Sequence, residues 1–175
     1  MENGVDRLVN WAIYFSDFSR YQLPFAGAVV DWVTDVNISY RRSALEATRS
    51  LWSDRYHETT VHWELVRLGE ELYLSPEPIV DQMRSRVSWA QLLSERYHWG
   101  RLFGYTRARE CSSTQRLAYF CGSLLLPFLL LFRHAKMQFQ KRKRFLKFLQ
   151  AAPLVFVLAL FWSFGEAHAY ATSRA

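Results

Sequence analysis

Residues 58–76 read ETTVHWELVRLGEELYLSP, and the division of this stretch decides the fold. Val61, Leu65 and Leu68 fall at helical spacing and make one apolar stripe over Glu58–Leu68. Gly69 stands where a helix ends in a left-handed residue, which glycine adopts without steric cost. Leu72–Leu74 then reads as a short strand, ended by Pro76 and Pro78, which cannot donate to a ladder. Helix, glycine, strand is the grammar of a mixed fold.

The same grammar extends outward. Residues 5–22 carry Val5, Leu8, Val9, Ala12 and Ile13 near a 3.6-residue period, and Pro24 and Gly27 break it. Ala28–Val33 is an apolar, β-branched run that reads as a strand. Ser43 with Glu46 and Ser88 with Gln91 have capping-box spacing, predicting helices from Ala44 to Trp52 and from Trp89 towards Arg109. Gly100 and Gly104 weaken the later turns of the second. The succession of helices and strands predicts an α/β layer architecture.

Two apolar stretches follow, Leu117–Phe132 and Pro153–Tyr170. Both are at or below the ~20 residues that span hydrocarbon as a helix, and buried core helices would have the same composition. The charge is uneven. Residues 1–100 hold 10 Arg against 14 acids, a balance of −4; residues 101–175 hold 12 Lys and Arg against 2 acids, a balance of +10. All four lysines, Lys136, Lys141, Lys143 and Lys147, lie between the apolar stretches. A basic segment so flanked points to anionic lipid rather than nucleic acid, against a solvated charged loop. Aromatic content of 17% argues against disorder. Two cysteines make no disulfide framework, and the N-terminal segment lacks the apolar core of a signal peptide.

HETTVH at 57–62 is not the zinc motif HExxH. His57 and His62 are five residues apart, which puts them about 140° out of alignment at 100° per residue, so no metal ligand set is assigned. Glu58 at a helix start complements the helix dipole whether or not it does chemistry. Arg96, His98, Trp99 and Arg101 suit either a diphosphate and its sugar or a surface cluster. Asn37 precedes a turn, where Asn is common for backbone reasons alone.

Taken in order, these segments resemble the acceptor half of a membrane-associated family 2 glycosyltransferase. The carriers are Asn37-Ile38-Ser39-Tyr40-Arg41-Arg42, Tyr56-His57-Glu58 with Gly69 and Leu72–Pro76, Glu95–Arg101, and Gly165-Glu166-Ala167-His168-Ala169-Tyr170. Many members have Glu-Asp where this chain has Glu58-Thr59; His98 stands for an Arg, Glu95 for a Gln and Ala169 for a Gly. The resemblance implies a partial GT-A-type domain over residues 1–110 that lacks its N-terminal donor half. It implies a C-terminal helical membrane hairpin over 111–175, with a basic loop at 133–148. The activity implied is inverting transfer of a sugar from a nucleotide diphosphate sugar to an acceptor at the membrane, with the catalytic part cytoplasmic. Glu58 would be the base, and Asn37, Arg96, His98 and Trp99 would line the substrate site. A divalent cation, Mg²⁺ or Mn²⁺, would serve the intact enzyme, although Asp31 and Asp35 do not make Asp-x-Asp. The chain would then be inactive alone and completed by another polypeptide. A non-catalytic membrane-surface module of the same descent is the alternative. Two full spans would place the lysines outside, against the positive-inside rule, whereas a half-inserted hairpin keeps them at the cytoplasmic surface.

Overall fold

The computed structural model describes residues 2–34, 36–54, 56–84 and 88–172. Of these, 66% are helical and 6% are strand. The α/β expectation is therefore corrected: this is a helical protein and not a GT-A domain. In chain order the elements are β1 (Glu2–Asn3), α1 (Leu8–Phe18), a 3₁₀ turn (Ser19–Tyr21), β2 (Ala28–Val30), α2 (Arg42–Ala47), α3 (Arg49–Trp52) and α4 (Glu58–Arg67). They continue with β3 (Leu72–Leu74), β4 (Asp81–Gln82), α5 (Trp89–Arg109), α6 (Ser113–Ser123), α7 (Leu126–Lys141) and α8 (Phe145–Thr172).

The strands explain the misreading. β2 and β3 pair antiparallel with each other, Ala28 opposite Leu74 and Val30 opposite Leu72, while β1 and β4 form a separate two-residue parallel pair. Neither pair extends to a third strand among the described residues. The apolar run at 28–33 stops being strand after Val30. Local β-propensity was real, but no sheet gathered around it.

The chain divides into two compact units, residues 1–22 with 81–175, and residues 23–80. In the first, α8 is the axis on which α1, α5, α6 and α7 pack. Phe15 of α1 meets Phe148 of α8 edge-on at 5.4 Å between ring centres, and Phe128 of α7 meets Phe156 at 5.1 Å. Gly100 and Gly104 lie on α5 where the α8 backbone passes, so a side chain at Gly100 would run into the Trp162 carbonyl. Gly165 faces the Tyr97 carbonyl in the same way from α8. These glycines cost helix propensity and return it as close helix approach. Ser88 caps α5 by accepting from the Gln91 amide, and Ser112 with Gln115 forms a full capping box on α6. α8 is long and apolar enough to cross a bilayer, judged by length and composition.

In the second unit, Ala44, Val61, Leu65 and Leu72 form a small core, with Val30, Tyr40 and Trp52 packed against it. Gly69 is left-handed at φ 84°, as its place after α4 requires. Ser43 caps nothing; α2 begins at Arg42 with no side-chain cap.

Candidate functional site

Asn37 and Glu58 belong to the second unit. Asn37 is itself left-handed, at φ 62°, a conformation Asn tolerates better than other side-chain-bearing residues. Its exposed amide Nδ2 donates to the Pro78 carbonyl at 3.4 Å, tying two loop segments of the unit. Glu58 is the first residue of α4 and half-buried, so it meets the positive end of the helix dipole. One turn on, His62 shares its face and is fully buried.

Tyr40 joins the two segments. Its hydroxyl is hydrogen bonded to His62 Nε2 at 2.6 Å and to the Tyr56 hydroxyl at 2.8 Å. The Asn37–Arg42 segment and the start of α4, separate in sequence, are thus held together by one phenol. Sequence reading named Asn37 and Glu58 as site residues, counted Tyr40 and Tyr56 only as motif positions, and weighed His62 only as a metal ligand. The signal was present: a histidine amid Val61 and Leu65 on a buried face needs a polar partner.

Arg96, His98 and Trp99 belong to the first unit, on α5. Arg96 is buried and forks onto Asp17 of α1, one bond going to Oδ1 and the other to Oδ2 at 2.6 Å. Burial works against its charge, but Asp17 outweighs that and holds the guanidinium above its ordinary pKa. The pair ties α1 to α5. His98 and Trp99, by contrast, are exposed. Neighbouring Tyr97 is hydrogen bonded through its hydroxyl to His168 Nδ1 on α8. Further along, Glu166 of α8 accepts from Trp162 Nε1 at 2.5 Å and from the Tyr170 hydroxyl at 2.9 Å, with Arg107 at 3.8 Å. A lone carboxylate inside an apolar run was the legible sign of that network.

The basic segment divides: Arg133, Lys136, Arg142 and Lys143 are exposed, while Lys141, Arg144 and Lys147 are half-buried. Lys141 Nζ donates to the carbonyls of Ser19, at 3.1 Å, Arg20, at 3.3 Å, and Gln22, capping the end of the 3₁₀ turn. Burial lowers its pKa to about 8. Lys143 and Arg144 pair with Glu2 at 2.8 and 3.1 Å, and Lys147 pairs with Asp6 at 3.0 Å. Arg144 also lies 4.9 Å over the Trp11 ring. Beside them, His134 is buried in α7, and burial lowers its pKa to about 4.

No three His, Cys, Asp or Glu side chains cluster as a metal site among the described residues. Asp31 is exposed, and Asp35 lies outside the described residues. Among the described residues no set of side chains fits a divalent cation. Compared with known proteins, the chain matches no family model, no curated protein and no solved structure.

Proposed function

We propose that this chain is the acceptor-side part of an inverting, membrane-associated glycosyltransferase, inactive alone and completed by a polypeptide that binds the nucleotide diphosphate sugar. The supporting observation is the Tyr40 junction, which brings the Asn37–Arg42 segment onto the start of the helix that Glu58 opens. In this reading Glu58 takes the proton from the acceptor hydroxyl, which becomes a competent nucleophile as it attacks the anomeric carbon. Glu58 is a half-buried carboxylate at a helix start. Asn37 shapes the approach to it. In the other unit, taken by itself, Arg96 positions α5 through Asp17, and His98 and Trp99 are exposed side chains of a kind that suits sugar or diphosphate. Any divalent cation belongs to the completing polypeptide, and the catalytic part faces the cytoplasm.

The test is reconstitution. Supplied with a nucleotide-sugar-binding part, in trans or by fusion, the chain should transfer sugar, and Glu58→Gln should lower turnover by about 10²–10⁴-fold. His57→Gln should cost far less. A Glu58→Gln enzyme within about threefold of its parent, outside the range for general-base catalysis, would return Glu58 to a helix-end role.

A further inference from the structure

The pair α6 and α7 breaks at Leu124–Leu125 with a bend of 67°. The 16 residues from Leu117 to Phe132 carry no charge, and they are bounded by Arg116 on one arm and Arg133 on the other. Each arginine is eight residues from the break, so each uncharged arm is about 12 Å long at 1.5 Å per residue. Leu124, Leu125, Phe128, Leu129 and Phe132 are each between 61% and 69% exposed. Leu125, Phe128, Leu129 and Phe132 follow helical spacing, and the same face of α7 continues into the exposed Arg133 and Lys136.

Two 12 Å arms bent by 67° span only about 20 Å end to end, short of the ~30 Å hydrocarbon core. With Arg116 and Arg133 held level, the break lies about 7 Å below them, within the ~5–10 Å at which interfacial helices seat. A second copy is the poorer occupant. An isologous contact would bring together two faces that each carry Arg133 and Lys136, so charge of one sign would accumulate along the seam.

We propose that α6–α7 is a shallow wedge that seats this protein on an anionic membrane surface, Leu124–Phe132 entering the acyl boundary and Arg133 and Lys136 meeting lipid phosphates. This deepens the membrane-surface part of the proposed function and is independent of its transferase part, which is tested by turnover and not by binding. Lys141, Lys143, Arg144 and Lys147 are occupied internally, so the wedge and its own flanking cations carry the attachment.

Sedimentation of the full chain with phosphatidylcholine vesicles, with and without phosphatidylserine, tests attachment. Binding should favour the anionic vesicles, weaken in high salt, and fall about tenfold or more in Leu125→Asp/Phe132→Asp, whose circular dichroism should match the parent because both sites are exposed. A spin label at Leu125→Cys, with Cys111→Ser and Cys121→Ser, then reports depth. The expected position is the acyl boundary near the headgroups. A label at the bilayer midplane, a double variant that binds as well as the parent, or a chain that ignores vesicles and self-associates through this face would each overturn the proposal.

Discussion

The two units of this chain are held by different kinds of interaction. Around α8 the contacts are long-range and costly to break: the Asp17–Arg96 fork, the Arg107–Glu166 pair, and glycine-mediated backbone approach. Residues 23–80 rely on a small apolar core, one three-residue strand pair and the hydroxyl of Tyr40. The difference teaches where the chain tolerates change. Few large terms should set the stability of the first unit, and many small ones that of the second.

The largest effect that would test this contrast is at Arg96. Arg96→Ala leaves Asp17 without the guanidinium that neutralises it, beside the α1–α5 contact. Breaking such a pair from one side costs about 3–5 kcal/mol, so urea unfolding should shift by that amount. Asp17→Asn combined with Arg96→Met should cost much less than the sum of the single changes. Additive losses would mean that the two side chains act separately, and the first unit would lose its chief long-range tie.

Next in size is a pH effect from the same unit. Burial gives His134 a folded pKa of about 4, against an ordinary value of 6.5. Between these values the unfolded chain binds the proton and the folded one resists it, so stability falls as pH drops from 6.5 towards 4. Above 6.5 the contribution is complete. The window is worth up to about 3 kcal/mol. His134→Gln should flatten the loss between pH 7 and pH 4.5, read from denaturation midpoints, relative to the parent. An unchanged slope would place the acid sensitivity in other groups, such as the Glu2 carboxyl, which burial pushes up but Lys143 and Arg144 hold below its ordinary pKa.

Much of the chain was legible locally. The boundaries of α4, β3 and α5 follow from Gly69, Pro76 and the Ser88 cap, each a signal carried by neighbouring residues. The architecture was not, because what decides it lies far off in sequence. Gly100 and Gly104 looked like weaknesses in α5 and are the places where α8 packs. The lysines looked like a lipid-binding loop, yet Lys141, Lys143 and Lys147 fasten residues near the start of the chain. Two strands of three residues suggested a layered sheet only because propensity records local preference and not the partners a strand will find. Among the candidate site residues, the place of Asn37 at a turn and of Glu58 at a helix start was readable locally. Tyr40 gained its role only when folding set it against His62.

That tyrosine carries the smallest of these effects and the most local one. Tyr40→Phe keeps the ring, its volume and its packing on the Val61–Leu65 core, and removes only the oxygen shared by His62 and Tyr56. A net hydrogen bond is worth about 1 kcal/mol, with more at stake for a buried group than for an exposed one. The buried member here is His62, while Tyr56 is 40% exposed and can turn to water. The loss should therefore be about 1 kcal/mol, and it should appear locally. Amide exchange should quicken in α4 and in residues 38–42, while α5 and α8 keep the protection of the parent. In the reconstituted enzyme the same variant should retain the pH dependence of turnover, because Tyr40 positions the segment and does not carry the proton. If exchange quickens equally in α5 and α8, the two units open together, and the contrast between them is not one of stability.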